Sequence, residues 1–210
     1  IGWAGLIFGV YAFNYLWAPL IDRIQIPYLT KKIGHRRAWI VLMQSLILIC
    51  LILWSILNPT QNLALVITIG LFIAIASATQ DITVDALRIE QIGEHEGKSM
   101  AAGAAMAVVG WWSGYKLGGV ISLFSAEYLQ NLGLENYWQL TFLILGVLVI
   151  LMNIGLMFIS EGGSEDRKKK QKEDDKLISN KFNSKNIFTD LLTWIGGTVG
   201  GPIVSFFKKN

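Results

Sequence analysis

The sequence predicts an all-α integral membrane protein with five crossing helices. Three observations carry this. Of 210 residues, 53% are apolar and only 16% are charged, with a mean hydropathy of +0.48, whereas soluble domains sit near a quarter charged. Five stretches reach the ~20 mainly apolar residues that a spanning helix needs. The basic residues of the connections then alternate from one loop to the next, which is the charge signature of a multi-pass topology.

The first span is residues 2–21, the second 38–57, closed by the turn "NPTQN", and the third 63–89. The fourth, 99–124, is rich in Gly and Ala; the fifth is 138–159. Arg23, Lys31, Lys32, Arg36 and Arg37 lie between the first two, Arg88 and Lys98 between the third and fourth, and "RKKKQK" follows the fifth. The other two connections carry no Lys or Arg. These positives collect on the cytoplasmic side, so the first span runs from outside to inside. The net charge of +3 therefore reflects topology, and no nucleic-acid partner is expected.

Residues 161–186, polar and mixed in charge, read as a flexible cytoplasmic linker. Over 187–207, Ile187, Phe188, Leu191, Leu192 and Ile195 fall on one helical face, before Gly196, Gly197, Gly200, Gly201 and Pro202 interrupt it. An amphipathic helix along the inner surface is expected there rather than a sixth span. The chain starts at Ile1 in apolar sequence and reads as a piece of something longer. Cys50, in an apolar run, is a small hydrophobe, and no disulfide, metal or cofactor pattern stands out. His35 and His95 are far apart in sequence, each in a cytoplasmic loop, and nothing points to an enzyme.

The stretch "ATQDITVDALRIE" carries the chemistry. An end of the helix at Ala78 would leave it at about 24 Å, short of the ~30 Å hydrocarbon core. The helix therefore continues, and Asp81 lies at or just inside the inner boundary. Asp81, Asp85 and Arg88 are spaced by four and three and share a face, continued by Ser77, Ala78, Ala74 and Gly70. A small, charged stripe of this kind suits the lining of an aqueous path. Asp85 and Arg88 also suit a local ion pair. Lys116, about 25 Å along the fourth span, either snorkels or faces a cavity, while Gly110, Gly114 and Gly118 recur beside it and suit close helix packing.

In order, "WAPLIDR", "GHRRAWIVLMQ", "ATQDITVDA" and "GYKLGG" resemble the AmpG-type permeases of the major facilitator superfamily, over most of residues 1–160. Asp22 and Arg23, followed by Gly34, Arg36 and Arg37, resemble the superfamily's cytoplasmic loop motif. Two departures stand out: His35 and Lys116 occupy positions where Arg is expected. The resemblance implies a partial N-terminal six-helix bundle, helices two to six of twelve, whose second half lies outside this sequence. It implies proton-driven import of anhydro-muropeptides across the bacterial inner membrane. Asp81, Asp85, Gln80 and Arg88 would line the path and offer a carboxylate for coupling. Lys116 and Tyr115 would meet a small-molecule substrate, and the loop motif would latch the cytoplasmic face. Eukaryotic acetyl-CoA transporters carry a similar "QDI..D" segment, so another anionic metabolite is an alternative substrate. The other alternative is a non-transporting remnant or membrane scaffold.

Overall fold

The computed structural model describes residues 2–58, 61–92, 97–156, 158–159, 196–200 and 204. Every regular element among them is helical. The helices are α1 (Gly2–Phe13), α2 (Ala18–Arg23), α3 (Leu29–Ile33), α4 (His35–Ile56), α5 (Leu63–Ile92), α6 (Gly97–Asn131) and α7 (Tyr137–Leu156), with a 3₁₀ turn, Asn14–Leu16, between the first two. Of these, α4, α5 and α7 are long and apolar enough to cross a membrane by length and composition.

The stretch expected as one helix over 2–21 is divided. Pro19 has no N–H to give to the carbonyl four residues back, which favours a break just before it. The chain tightens into the 3₁₀ turn, closed by the Trp17 N–H on the Asn14 carbonyl, and restarts as α2 with Pro19 in its first turn. The break lets the Trp17 indole donate to Thr79 Oγ1 of α5 at 3.1 Å, while Tyr11 Oη donates to Ser77 Oγ at 2.8 Å. Two side chains thus fasten the first segment to the polar end of α5.

The α4 helix is central, lying against both α5 and α7; α1 covers α5, and α6 leans mainly on α7. Small residues let these backbones approach. Ala38, Ala76 and Ala78 are fully buried, and a Cβ on Gly70 would sit 3.3 Å from both Ile7 Cδ1 and Trp54 Cζ2. Trp54 ties three helices at the end away from the basic loops. Its indole donates to the Val66 carbonyl at 3.1 Å and its ring lies 5.0 Å from that of Phe142. The linker at 161–186 lies outside the described residues. So does most of the stretch 187–207, where only Gly196–Gly200, one wide helical turn beside α2, and Val204 are described.

Candidate functional site

At the end of the bundle carrying the basic loops, Arg36 joins three helices. Its side chain is only 6% exposed. Nη1 bonds Asp22 Oδ1 of α2, while Nε and Nη2 both donate to Glu90 Oε1 of α5, at 3.0 and 2.9 Å. A buried guanidinium requires such partners, because an unpaired charge there is strongly destabilising. The backbone delivers it through Gly34, at φ 97° and ψ 166°, a conformation essentially restricted to glycine. Gly34 ends α3 and starts α4 at once, since its N–H reaches the Thr30 carbonyl and its carbonyl accepts from Ala38. His35 is the first residue of α4 rather than part of a loop, and it is buried. Its Nε2 donates to the Ile21 carbonyl at 2.9 Å, the Trp39 indole donates to the Ile24 carbonyl at 2.9 Å, and Arg23 and Arg37 flank the cluster part-buried.

Along α5, Asp81 and Asp85 are exposed on the face that Ser77 continues, and Gln80 beside them is part-buried. Asp85 Oδ1 lies 3.1 Å from Arg88 Nη2, so the local pair forms. Arg88 also reaches across to α6, donating Nη1 to the Gly103 carbonyl at 3.2 Å. The approach is close: a Cβ at position 103 would fall 2.6 Å from Ile92 Cδ1, the end of a side chain that would have to shift, and 3.4 Å from Arg88 Cδ. Arg88 Nε is buried with no partner among the described residues. Asp81 stands eighteen residues into α5, about 27 Å along the helix. The arrangement is a ladder of hydroxyl, carboxylate, carboxylate and guanidinium. Among the described residues no group of acids, His and Cys fits a metal.

On α6, Tyr115 and Lys116 are exposed. The Lys116 ammonium stands 5.9 Å over the Trp112 ring. Gly110, Gly114 and Gly118 have nothing within 4 Å of a built Cβ, so the close packing expected of that stripe is not formed among the described residues.

A family model described as Major Facilitator Superfamily matches residues 1–207. The chain belongs to the major facilitator superfamily. Its relatives within the superfamily include AmpG 4 of Rickettsia felis, 31% identical over 199 residues, which are 95% of this chain and 42% of that protein. The anhydromuropeptide permease of Escherichia coli K12 is 31% identical over 150 residues, 71% of this chain and 29% of its own length. AmpG 3 of Rickettsia prowazekii is 35% identical over 116 residues, 55% of this chain and 27% of that protein. The resemblance to AmpG-type permeases read from the motifs is thereby borne out, and the all-helical bundle is a partial major facilitator fold. The chain spans well under half the length of these relatives. As a superfamily member with apolar crossing helices, it is a multi-pass membrane protein of a transporter family.

Sequence reasoning brought together Asp22 and Arg36, and Asp85 and Arg88, but missed Glu90. That residue was legible as an acid at the same end of an antiparallel hairpin as Arg36. Trp17 and Tyr11, which fasten the first segment beside the acidic face, left no such signal.

Proposed function

We propose that this protein is part of a secondary transporter that imports anhydro-muropeptides or related cell-wall fragments across the bacterial inner membrane, driven by protons. The observation that carries this is the exposed acidic face of α5, with Asp81 about 27 Å into a helix long enough to cross the bilayer. That places Asp81 at or just inside the inner boundary, where an ionisable group within a crossing helix normally faces a pathway, a cavity or a partner. The name of one relative, anhydromuropeptide permease, supports the substrate class.

In this reading the chain supplies five crossings, 2–21, 38–57, 63–89, 99–124 and 138–159, followed by a cytoplasmic linker, an interfacial helix and a second half that closes the cavity. Two bundles rock around a central site. Asp81 takes a proton from the outer side and releases it inside, with Asp85 held by Arg88 as its neighbour. Gln80 orients solute or water beside Asp81, and Tyr115 and Lys116 meet the anionic, sugar-bearing substrate. Asp22, Arg23, Gly34, Arg36 and Arg37, now with Glu90, hold the cytoplasmic face in one state. The test is Asp81→Asn in the full-length protein, with uptake of labelled anhydro-muropeptide measured from about pH 6 to about pH 8, roughly one unit either side of neutral. Loss of pH-stimulated uptake is expected; a wild-type pH profile would remove Asp81 from the coupling step.

A further inference from the structure

Gln44 closes the stretch "GHRRAWIVLMQ" but takes no part in the cytoplasmic cluster that Arg36 builds. It is 7% exposed, in the body of α4, and its Oε1 has no hydrogen-bond partner among the described residues. An unpaired acceptor at such burial is destabilising, and native proteins keep few of them. Arg36 and Trp54, about five helical turns apart, reach Glu90 and the Val66 carbonyl and so mark the side of α4 that meets α5. Leu48, whose Cδ2 lies 3.9 Å from a Cβ built on Gly146, marks the side that meets α7. Gln44 falls between these two sides.

On α5, the hydroxyls at this level are engaged: Thr79 Oγ1 accepts from Trp17, and Thr83 donates to the Thr79 carbonyl. On α7, Gln139, Phe142 and Gly146 form the row that faces α4. Gln139 donates to the Leu57 carbonyl, Phe142 lies against Trp54, and Gly146 against Leu48, so the two helices run antiparallel. Asn153, seven residues beyond Gly146, continues that row. From the Trp54–Phe142 contact, Gln44 is ten residues along α4 and Asn153 eleven along α7. That is about 15 Å and about 16.5 Å toward the basic-loop end, so the two amides stand at nearly one level. Helical side chains lean toward the N-terminus of their own helix, which here tilts the two toward each other. Asn153 is part-buried, and its Nδ2 donates at 3.1 Å to the Val149 carbonyl, one turn back in its own helix. The helix ladder already uses that carbonyl, so the side chain is free to leave it.

We propose that Gln44 and Asn153 form a switchable bond between α4 and α7, open in this structure and closed in a second state of the bundle by Asn153 Nδ2 donating to Gln44 Oε1. Closing it takes a rotation of the Asn153 side chain and a small slide of α7 along α4. Hydrogen bonds between membrane helices are modest in strength, so this one opens and closes as the bundle moves. The pair depends on no particular substrate, and only its effect on uptake rests on the transporter reading above.

The test uses the full-length protein. With its native cysteines replaced, Gln44→Cys together with Asn153→Cys forms a disulfide on oxidation, read by mass spectrometry of the linked peptides; no link overturns the pairing. Gln44→Met keeps the size and removes the amide. It raises the thermal midpoint by about 2–4 °C, because an unpaired acceptor is gone, and slows uptake of labelled anhydro-muropeptide into proteoliposomes about threefold, the scale of one interhelical hydrogen bond. A lowered midpoint would mean that Gln44 is already bonded in the resting state, and would overturn the switch; so would unchanged uptake. Asn153→Leu slows uptake to the same extent, and the double variant is no slower than either single one. Losses that multiply would show two separate roles and would also overturn it. A wild-type protein that does not take up the probe refutes the muropeptide reading alone, and the disulfide and the midpoints still decide the pair.

Discussion

Replacing Glu90 by alanine removes two of the hydrogen bonds that hold Arg36, a guanidinium only 6% exposed. Removing one partner of a buried ion pair costs about 3–5 kcal/mol. Two features reduce that here: Glu90 is itself one-fifth exposed, and Asp22 still neutralises the charge. A loss of about 2–3 kcal/mol follows. Asp22 is half exposed, so Asp22→Ala is worth about 1 kcal/mol or less. At about 2–4 °C per kcal/mol for a chain of this size, Glu90→Ala lowers the midpoint by about 4–12 °C and Asp22→Ala by at most about 4 °C. The assay is a thermal unfolding scan of both variants in one detergent at one scan rate, since membrane proteins often unfold irreversibly. An Asp22→Ala midpoint as low as that of Glu90→Ala, or lower, would refute the claim that Glu90 is the main support of Arg36.

Other substitutions probe the backbone and the helix contacts. Gly103→Val places a side chain where Ile92 Cδ1 already lies and displaces Arg88 from the Gly103 carbonyl. A loss of about 1–3 kcal/mol is expected, read as a lower midpoint together with reduced uptake. Gly34→Ala forces an L side chain to φ 97° and costs about 1–3 kcal/mol by the same scan. Tyr28 has the opposite sign. It sits at φ 67°, ψ −53°, closing a tight turn from the Leu29 N–H to the Pro27 carbonyl, a conformation strained for a side-chain-bearing residue. Tyr28→Gly should therefore raise the midpoint by about 2–4 °C, roughly 1 kcal/mol.

The long helices were legible because apolar runs of spanning length leave few alternatives. The run from Leu63 and that from Tyr137 begin within a residue of where they were read, and α6 extends beyond its apolar part to Asn131 because Glu127 and Gln130 still favour helix outside the lipid. The break before Pro19 was also present in the sequence, but the apolar pattern on both sides hid it. The partners of Arg36 divided along physical lines. Asp22 was legible through a motif, whereas Glu90 lies 54 residues away and meets Arg36 only through the crossing of two helices. The bonds of Trp17 and Tyr11 depend on helix rotation about the long axis, which an apolar helix without a strong polar face leaves open. The stripe of Gly110, Gly114 and Gly118 is a different case: its spacing suits close packing but does not say which helix arrives, and none among the described residues does.

The most direct measurement of the account is uptake of labelled anhydro-muropeptide into proteoliposomes holding the full-length protein, with a pH gradient imposed and then collapsed by an ionophore. The account predicts accumulation above the external concentration that follows the gradient, disappears when it is collapsed, and is lost in Asp81→Asn. Equal accumulation with and without the gradient would contradict proton coupling through the acidic face of α5.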